Sequence, residues 1–289
     1  PDHRQELKLC GATLLQGEVY AAERGLGRGN LAKKRFSLDK LIDGELKKSD
    51  RYLPALKKSV REMDVSEYIR DVIKIDGIRS DSTFSFTEKT SLFSFDKAFE
   101  INNRLEGNII LHSIDSIIVT ESAQLENVIL IAPVIRFKSG FEGSVQAYSG
   151  SQIICESNVR LKYPSSLILQ ELDGKSKAIQ SKIFIGENSQ VLGGVLLISK
   201  KANFRKPLLL EVMHGTIGGL VYNQGETELQ GKIIGSLYTN QFVLHAGGGI
   251  YNDYLLDATI SRNQLPEDFI MPNWLMGVEA TKPILLSCF

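Results

Sequence analysis

Along most of this 289-residue chain apolar and polar positions alternate in short runs, and Gly, Asn, Ser or Asp separates the runs. Alternation with a period of two puts one set of side chains on each face of an extended strand, so the pattern predicts many short β-strands. A five-residue signature recurs within it, written apolar, any, Gly, any, apolar. It stands as LQGEV at 15–19, IDGEL at 42–46, LEGNI at 105–109, FEGSV at 141–145, VLGGV at 191–195, LQGKI at 229–233 and IIGSL at 233–237. In a degenerate copy at 125–129 Asn127 replaces Gly, and Asn is the residue next most tolerant of a left-handed backbone. The longest echo is GATLLQG at 11–17 and GETELQG at 225–231, where Ala12 and Leu14 give way to Glu226 and Glu228.

From 116 onward three stretches, SIIVTESAQLENVILIAP, VIRFKSGFEGSVQAYSG and SQIICESNVRLKYPSSLILQ, follow one another at about seventeen to twenty residues each. Aligned, they put Ile118, Ile135 and Ile153 in line, then Leu125, Phe141 and Val159. Strands repeating at that length with small residues at the corners predict an all-β, single-stranded parallel β-solenoid whose turns bury inward side chains against one another. Handedness is not written in the sequence, and the crossover rule for parallel strands favours a right-handed β-helix. A β-sandwich is the rival, but sandwich strands do not repeat a corner Gly at near-constant phase. On this reading the signature's Gly points inward between its two apolar neighbours, where a bend or a stacked neighbour leaves no room for a side chain.

Two stretches depart from the pattern. Over 53–73 the apolar residues Leu53, Leu56, Val60, Met63, Val65, Tyr68, Ile69, Val72 and Ile73 are spaced as on one or two amphipathic helices, with Pro54 suited to a first turn. The tail contains Pro266, Pro272 and Pro283 and no long alternation, which suits a cap over an otherwise open sheet end. The expected organisation is an N-terminal β segment at 1–50 that is a candidate part of the solenoid, a helical insertion at 51–80, the solenoid at 81–260 and a cap at 261–289.

Charge narrows the partners. Lys and Arg number 34 against 34 Asp and Glu, so no global field favours nucleic acid or an anionic membrane. No apolar run reaches membrane-span length and no signal peptide opens the chain. The chain begins at Pro1 instead of Met, so a preceding segment is expected, and any membrane contact would run through it. Cys10, Cys155 and Cys288 lack CxxC spacing and read as buried single thiols, with a Cys10 to Cys288 bridge as the alternative.

Candidate chemistry is sparse. GLGRG at 25–29 lacks the Lys-Ser/Thr of a phosphate loop and reads as a hairpin tip. Around it Arg24, Arg28, Lys33, Lys34 and Arg35 form a basic patch, either a solvated surface or a dock for an anionic glycan or acidic partner. His3, His112, His214 and His245 are isolated, so no metal or cofactor is expected. Glu126 and Glu142 are placed at the same position of neighbouring turns, a carboxylate face able to act as acid and base or to hold a cation. Outward residues of an alternating strand look the same.

Gly11, Thr13, Gly17 and Tyr20, then Gly25, Gly44, Ser49, Leu53 and Pro54, with GNIIL from Gly107, YPSSL from Tyr163, GSLYT at 235–239, YNDYLLDATI at 251–260 and LPEDF at 265–269, resemble a family of uncharacterised Bacteroidota envelope proteins. The resemblance implies an extracytoplasmic domain behind one N-terminal membrane anchor, laid out like a pilin or pseudopilin. Ala21, Ala22 and Glu23 depart from the Leu-Pro expected before the glycine loop. The expected function is a non-enzymatic structural or docking subunit of an envelope assembly of secretion or pilus-like type, self-assembled or bound to other envelope proteins. The alternative is a polysaccharide-binding or polysaccharide-cleaving β-helix using the Glu126 and Glu142 face. Self-polymerisation of the bactofilin kind is a third reading and would need uncapped ends.

Overall fold

Alternation becomes strand almost wherever it occurs in the computed structural model of the chain, which describes residues 5–65, 69, 73–74, 81–171, 180–199 and 206–277. The protein is all-β with one short helix, and nearly all its strand pairings are parallel. Among the described residues the antiparallel ones are the hairpins at 30–35 and 243–252 and a single bridge from Leu56 to Leu275. That rules out a sandwich of antiparallel sheets. No helix of the described residues is long and apolar enough to cross a membrane.

The chain pairs with itself one layer on. Strand Gln124–Phe137 lies along Glu142–Cys155, with Gln124 facing Glu142 eighteen residues later. Where Arg160 faces Gln190 the step has grown to thirty, because residues beyond 171 intervene. Each layer contributes three inward columns. One runs Ile117, Ile135, Ile153, Ile183, Leu210, all with no exposed surface. A second runs Phe93, Leu111, Leu130, Ala147, Leu167, Val195, Val221. The third runs Leu105, Leu125, Gly143, Leu161, Val191, Ile217, and all three belong to one apolar core. Burying one such aliphatic side chain gains about 1.5–3 kcal/mol, against roughly 1–2 kcal/mol to order one backbone residue, so a layer is stable only with neighbours on both sides.

The first column corrects the predicted alignment. Ile117, not Ile118, stacks on Ile135, while Ile118 pairs with Arg136. Two adjacent isoleucines made the phase ambiguous, and a slip of one residue turns every side chain to the other face.

Chain order and stacking order differ. Lys232, Ile233 and Ile234 pair with Thr259, Ile260 and Ser261, and these pair in turn with Leu14, Leu15 and Gln16. Gly17 then faces Gly44 in strand Asp43–Lys48. The N-terminal segment thus extends the stack beyond its C-terminal strand. From there the chain returns along the flank to Ile73, which pairs with Ser91 at the opposite end. On the way it covers an outward apolar column: Leu56 packs on Ile168, Leu196 and Ile198, and Val65 and Ile69 join Leu92, Ile110 and Ile131. The Tyr222 hydroxyl donates to the Pro54 carbonyl at 3.0 Å. A strand face buried on both sides explains the near-continuous apolar runs at 128–132 and 194–198.

Of the helix expected over 53–73, the described residues show the turn Lys58–Arg61 and 3₁₀ positions at 65 and 69, while 66–68 and 70–72 lie outside them. The segment's apolar spacing also lets successive side chains meet different layers of the flank. The tail likewise lies on the flank, with Leu275 bridged to Leu56 and the Trp274 ring over Gly194; residues 278–289 are outside the described range. Beyond Thr259–Ser261 the stack is continued by the N-terminal strands.

Gly143 stands in an inward column as expected, but three other recurrent glycines work at a corner. Gly193, Gly219 and Gly235 stack with φ of +140°, +135° and +149°, and a Cβ on Gly219 or Gly235 would sit 1.9 Å from the carbonyl oxygen of the glycine one layer before. Their missing side chains point along the stack, not into the core as expected. The septets at 11–17 and 225–231 are consequently out of phase: the pairing aligns Leu15 with Ile233 and so brings Gly17 into line with Gly235, four residues past the echo. Gly219→Ala should therefore cost more than about 2 kcal/mol in chemical denaturation, since left-handed strain alone is worth about 1–3 kcal/mol and the oxygen must also move. Gly17→Ala, with φ +107° but nothing within 4 Å, should lose only the strain.

Candidate functional site

The two predicted carboxylates sit on the same outward face of adjacent strands but not at the same position, because Gln124 faces Glu142 and Glu126 faces Ser144. Lys162 from the next layer lies between them, its Nζ 3.0 Å from Glu142 Oε1 and 3.7 Å from Glu126 Oε1. Ser144 Oγ donates to the other Glu126 oxygen at 2.8 Å. The hydrogen bond to Glu142 holds the Lys162 ammonium above the usual lysine range, though all three side chains are about half exposed, so the cluster is a weakly stabilising surface network. Two acids sharing one ammonium are neutralised in part by the protein itself. At the corner that ends the Glu142 strand, Glu156 accepts from Arg136, Lys138 and the Ser139 backbone N–H. Burial works to raise its pKa, but these donors together outweigh it and hold the carboxyl below its ordinary value.

The basic patch divides. Arg28 donates to the Asp39 carbonyl and lies over the Phe36 ring, and Lys34 pairs with Asp257 at 2.6 Å. Arg24, Lys33 and Arg35 are exposed. GLGRG is not the hairpin tip: Leu26–Arg28 is a strand parallel to Leu7–Cys10, and a Cβ on Gly29 would fall 2.5 Å from Cys10 Sγ. The hairpin turns at Ala32 and Lys33, both at positive φ. Those glycines serve close strand packing, which a phosphate-loop pattern mimics.

Cys10 and Cys155 are buried free thiols, and burial pushes the Cys155 pKa far up. Cys288 lies outside the described residues, and with it the bridge to Cys10; His3 does too. Among the described residues no group of three or more His, Cys, Asp or Glu is placed to hold a metal ion. His112 contacts Ser94 through Nδ1 at 2.9 Å, and His214 occupies a left-handed corner with φ 58°.

His245 has a partner that its sequence neighbourhood does not announce. Its Nδ1 lies 2.6 Å from Glu228 Oε2, and its backbone N–H donates to Glu228 Oε1 at 3.1 Å. Gln230 Nε2 supplies a further bond to Oε1 at 3.0 Å. The Glu228 side chain is only 4% exposed, so this is a buried carboxylate satisfied by three donors. His245 belongs to the hairpin Val243–Asn252, which the contact fastens to the last layers. Glu226, two residues along the same strand, has its pKa raised by burial, with His245 opposing the shift. The one sequence signal was the replacement of Ala12 and Leu14 in the septet echo by two glutamates at i and i+2, which places both on one strand face.

Comparison with protein-family models, with curated proteins and with solved structures returns no match for this chain.

Replacing Glu228 by Ala leaves the His245 N–H unpaired and removes charge-assisted bonds, so a loss of about 2–3 kcal/mol is expected. Amide exchange of residues 243–252 should accelerate first. Glu126→Ala, as the exposed control, should cost less than about 1 kcal/mol.

Proposed function

We propose that the layered strands close into a right-handed parallel β-solenoid, and that this body is a rigid, non-enzymatic docking subunit of an extracytoplasmic cell-envelope assembly. The observation that carries the reading is the continuity of one core through the layers, including those supplied by the chain's own N-terminal strands. Such a column resists bending and presents its outward residues at fixed spacing, which suits a structural part. The outermost described strand at that end, Asp43–Lys48, is rich in charge, as edges that avoid indiscriminate pairing are. The exposed Arg24, Lys33 and Arg35 give an acidic or anionic partner a place to dock. The envelope location rests on the family resemblance alone.

The polysaccharide-cleaving alternative needs one carboxyl to hold a proton near neutral pH. Lys162 stands between Glu126 and Glu142 and contacts both, and Ser144 Oγ donates to Glu126, so neither carboxyl is left free to face a substrate, which works against that role.

Expression with the native upstream sequence, followed by fractionation and chemical cross-linking in cells, tests the proposal. Recovery with the envelope and cross-links to larger envelope species are expected. A cytosolic, uncross-linked monomer would overturn it, as would glycan turnover abolished by Glu126→Gln with Glu142→Gln.

A further inference from the structure

Between the returning flank segment and the middle layers lies a cleft of about 360 Å³. Leu56, Arg61 and Glu62 form one wall, and Gln170, Ile198 and Gln224 form the floor. Gln170 pairs with Ile198 in the next layer, and the register Leu197 to Asn223 brings Gln224 beside Ile198 one layer further. Two amides thus flank an aliphatic side chain, with about 4.8 Å between successive layers.

One atom of this floor is out of place in a dry protein interior. Gln170 is 4% exposed, and its Nε2 is buried with no hydrogen-bond partner. A buried unpaired donor is costly, and an apolar residue of the same shape would remove the cost. Its presence at the floor of a cleft points to an acceptor that the described residues do not supply. We infer that the cleft is a binding site for a neutral saccharide of one or two rings.

Chemistry selects that class. Arg61 and Glu62 pair at 3.0 Å, so the rim has no net charge to attract an anion or a cation. Neighbouring Glu171 is occupied by the Ser181 and Ser199 hydroxyls. Amides both donate to and accept from hydroxyl groups, while Leu56 and Ile198 offer aliphatic surface to the C–H face of a sugar ring. The volume is at the small end of ligand pockets, which run about 300–1,000 Å³. An extended peptide fits poorly, because the floor is a sheet face whose backbone groups are already used in parallel ladders. The site is distinct from the Glu126 and Glu142 face and does not depend on the envelope reading.

The test is titration of the intact chain with glucose, galactose, N-acetylglucosamine and their β-linked disaccharides, followed by calorimetry and saturation-transfer NMR. At least one is expected to bind in the millimolar range or tighter, with saturation reaching its ring C–H protons. Gln170→Leu should weaken that binding by about tenfold or more, equivalent to one decade in Kd, while leaving Tm unchanged or higher. If that variant fails to fold by circular dichroism, Gln224→Met at the more exposed end of the floor should show the same loss. Glu126→Gln with Glu142→Gln should bind as the parent does. Absence of binding across the panel at tens of millimolar would overturn the inference. So would unchanged affinity in the floor variants, or preferential binding of galacturonate or trialanine.

Discussion

Parallel, in-register stacking of inward aliphatic side chains is the constraint on which the rest of this protein depends. A single layer has three short strands and nothing to bury them against, so its stability exists only through its neighbours. The columns headed by Phe93, Leu105 and Ile117 meet that need through the middle of the molecule. Thr259–Ser261 is the last strand among the described residues, and without a further partner its outer edge would be left open. Leu14–Ala21 and Asp43–Lys48 extend it. The problem of the edge is thereby moved to a strand whose side chains are mostly charged and exposed, which is the cheaper place to leave it.

Using the N-terminus at the far end obliges the chain to travel back, and the return path shapes the surface. The flank segment turns one sheet face from solvent-exposed to buried, which is why that face carries Leu92, Ile110, Ile168, Leu196 and Tyr222 on its outer side. Where this segment does not fill the space beside Gln170 and Ile198, a cleft remains. The Glu228 and His245 contact belongs to the same logic, for it fastens a hairpin that leaves the stack to the layers it leaves.

How much of this could be read from the residues varies with distance along the chain. Strands, parallel stacking and left-handed corners follow from local pattern, and Asn127 at φ 58° stands where glycine-like freedom was expected. Phase was harder, since Ile117 and Ile118 are equally apolar and only the pairing of Ile118 with Arg136 decides which faces inward. In the flank segment the helical spacing is matched by the turn Lys58–Arg61, while its apolar side chains also meet successive layers, which the spacing alone does not announce. Pairing of Leu14 with Thr259 joins residues at opposite ends of the chain and leaves no local trace. The same holds for His245 and Glu228, and for Lys162, whose position between Glu126 and Glu142 turns an apparent catalytic pair into an ion cluster.

The account stands or falls on the N-terminal strands adding to the end of the stack within one chain. Neighbouring Cα atoms of paired strands lie about 4.8 Å apart, inside the span of a disulfide. In a Cys288→Ser background, Leu14→Cys with Thr259→Cys should therefore oxidise rapidly to an intramolecular bridge without loss of the folded state, while Leu14→Cys with Thr83→Cys, at the opposite end, should not. A bridge in the second pair, or in the first only between two chains, would contradict it.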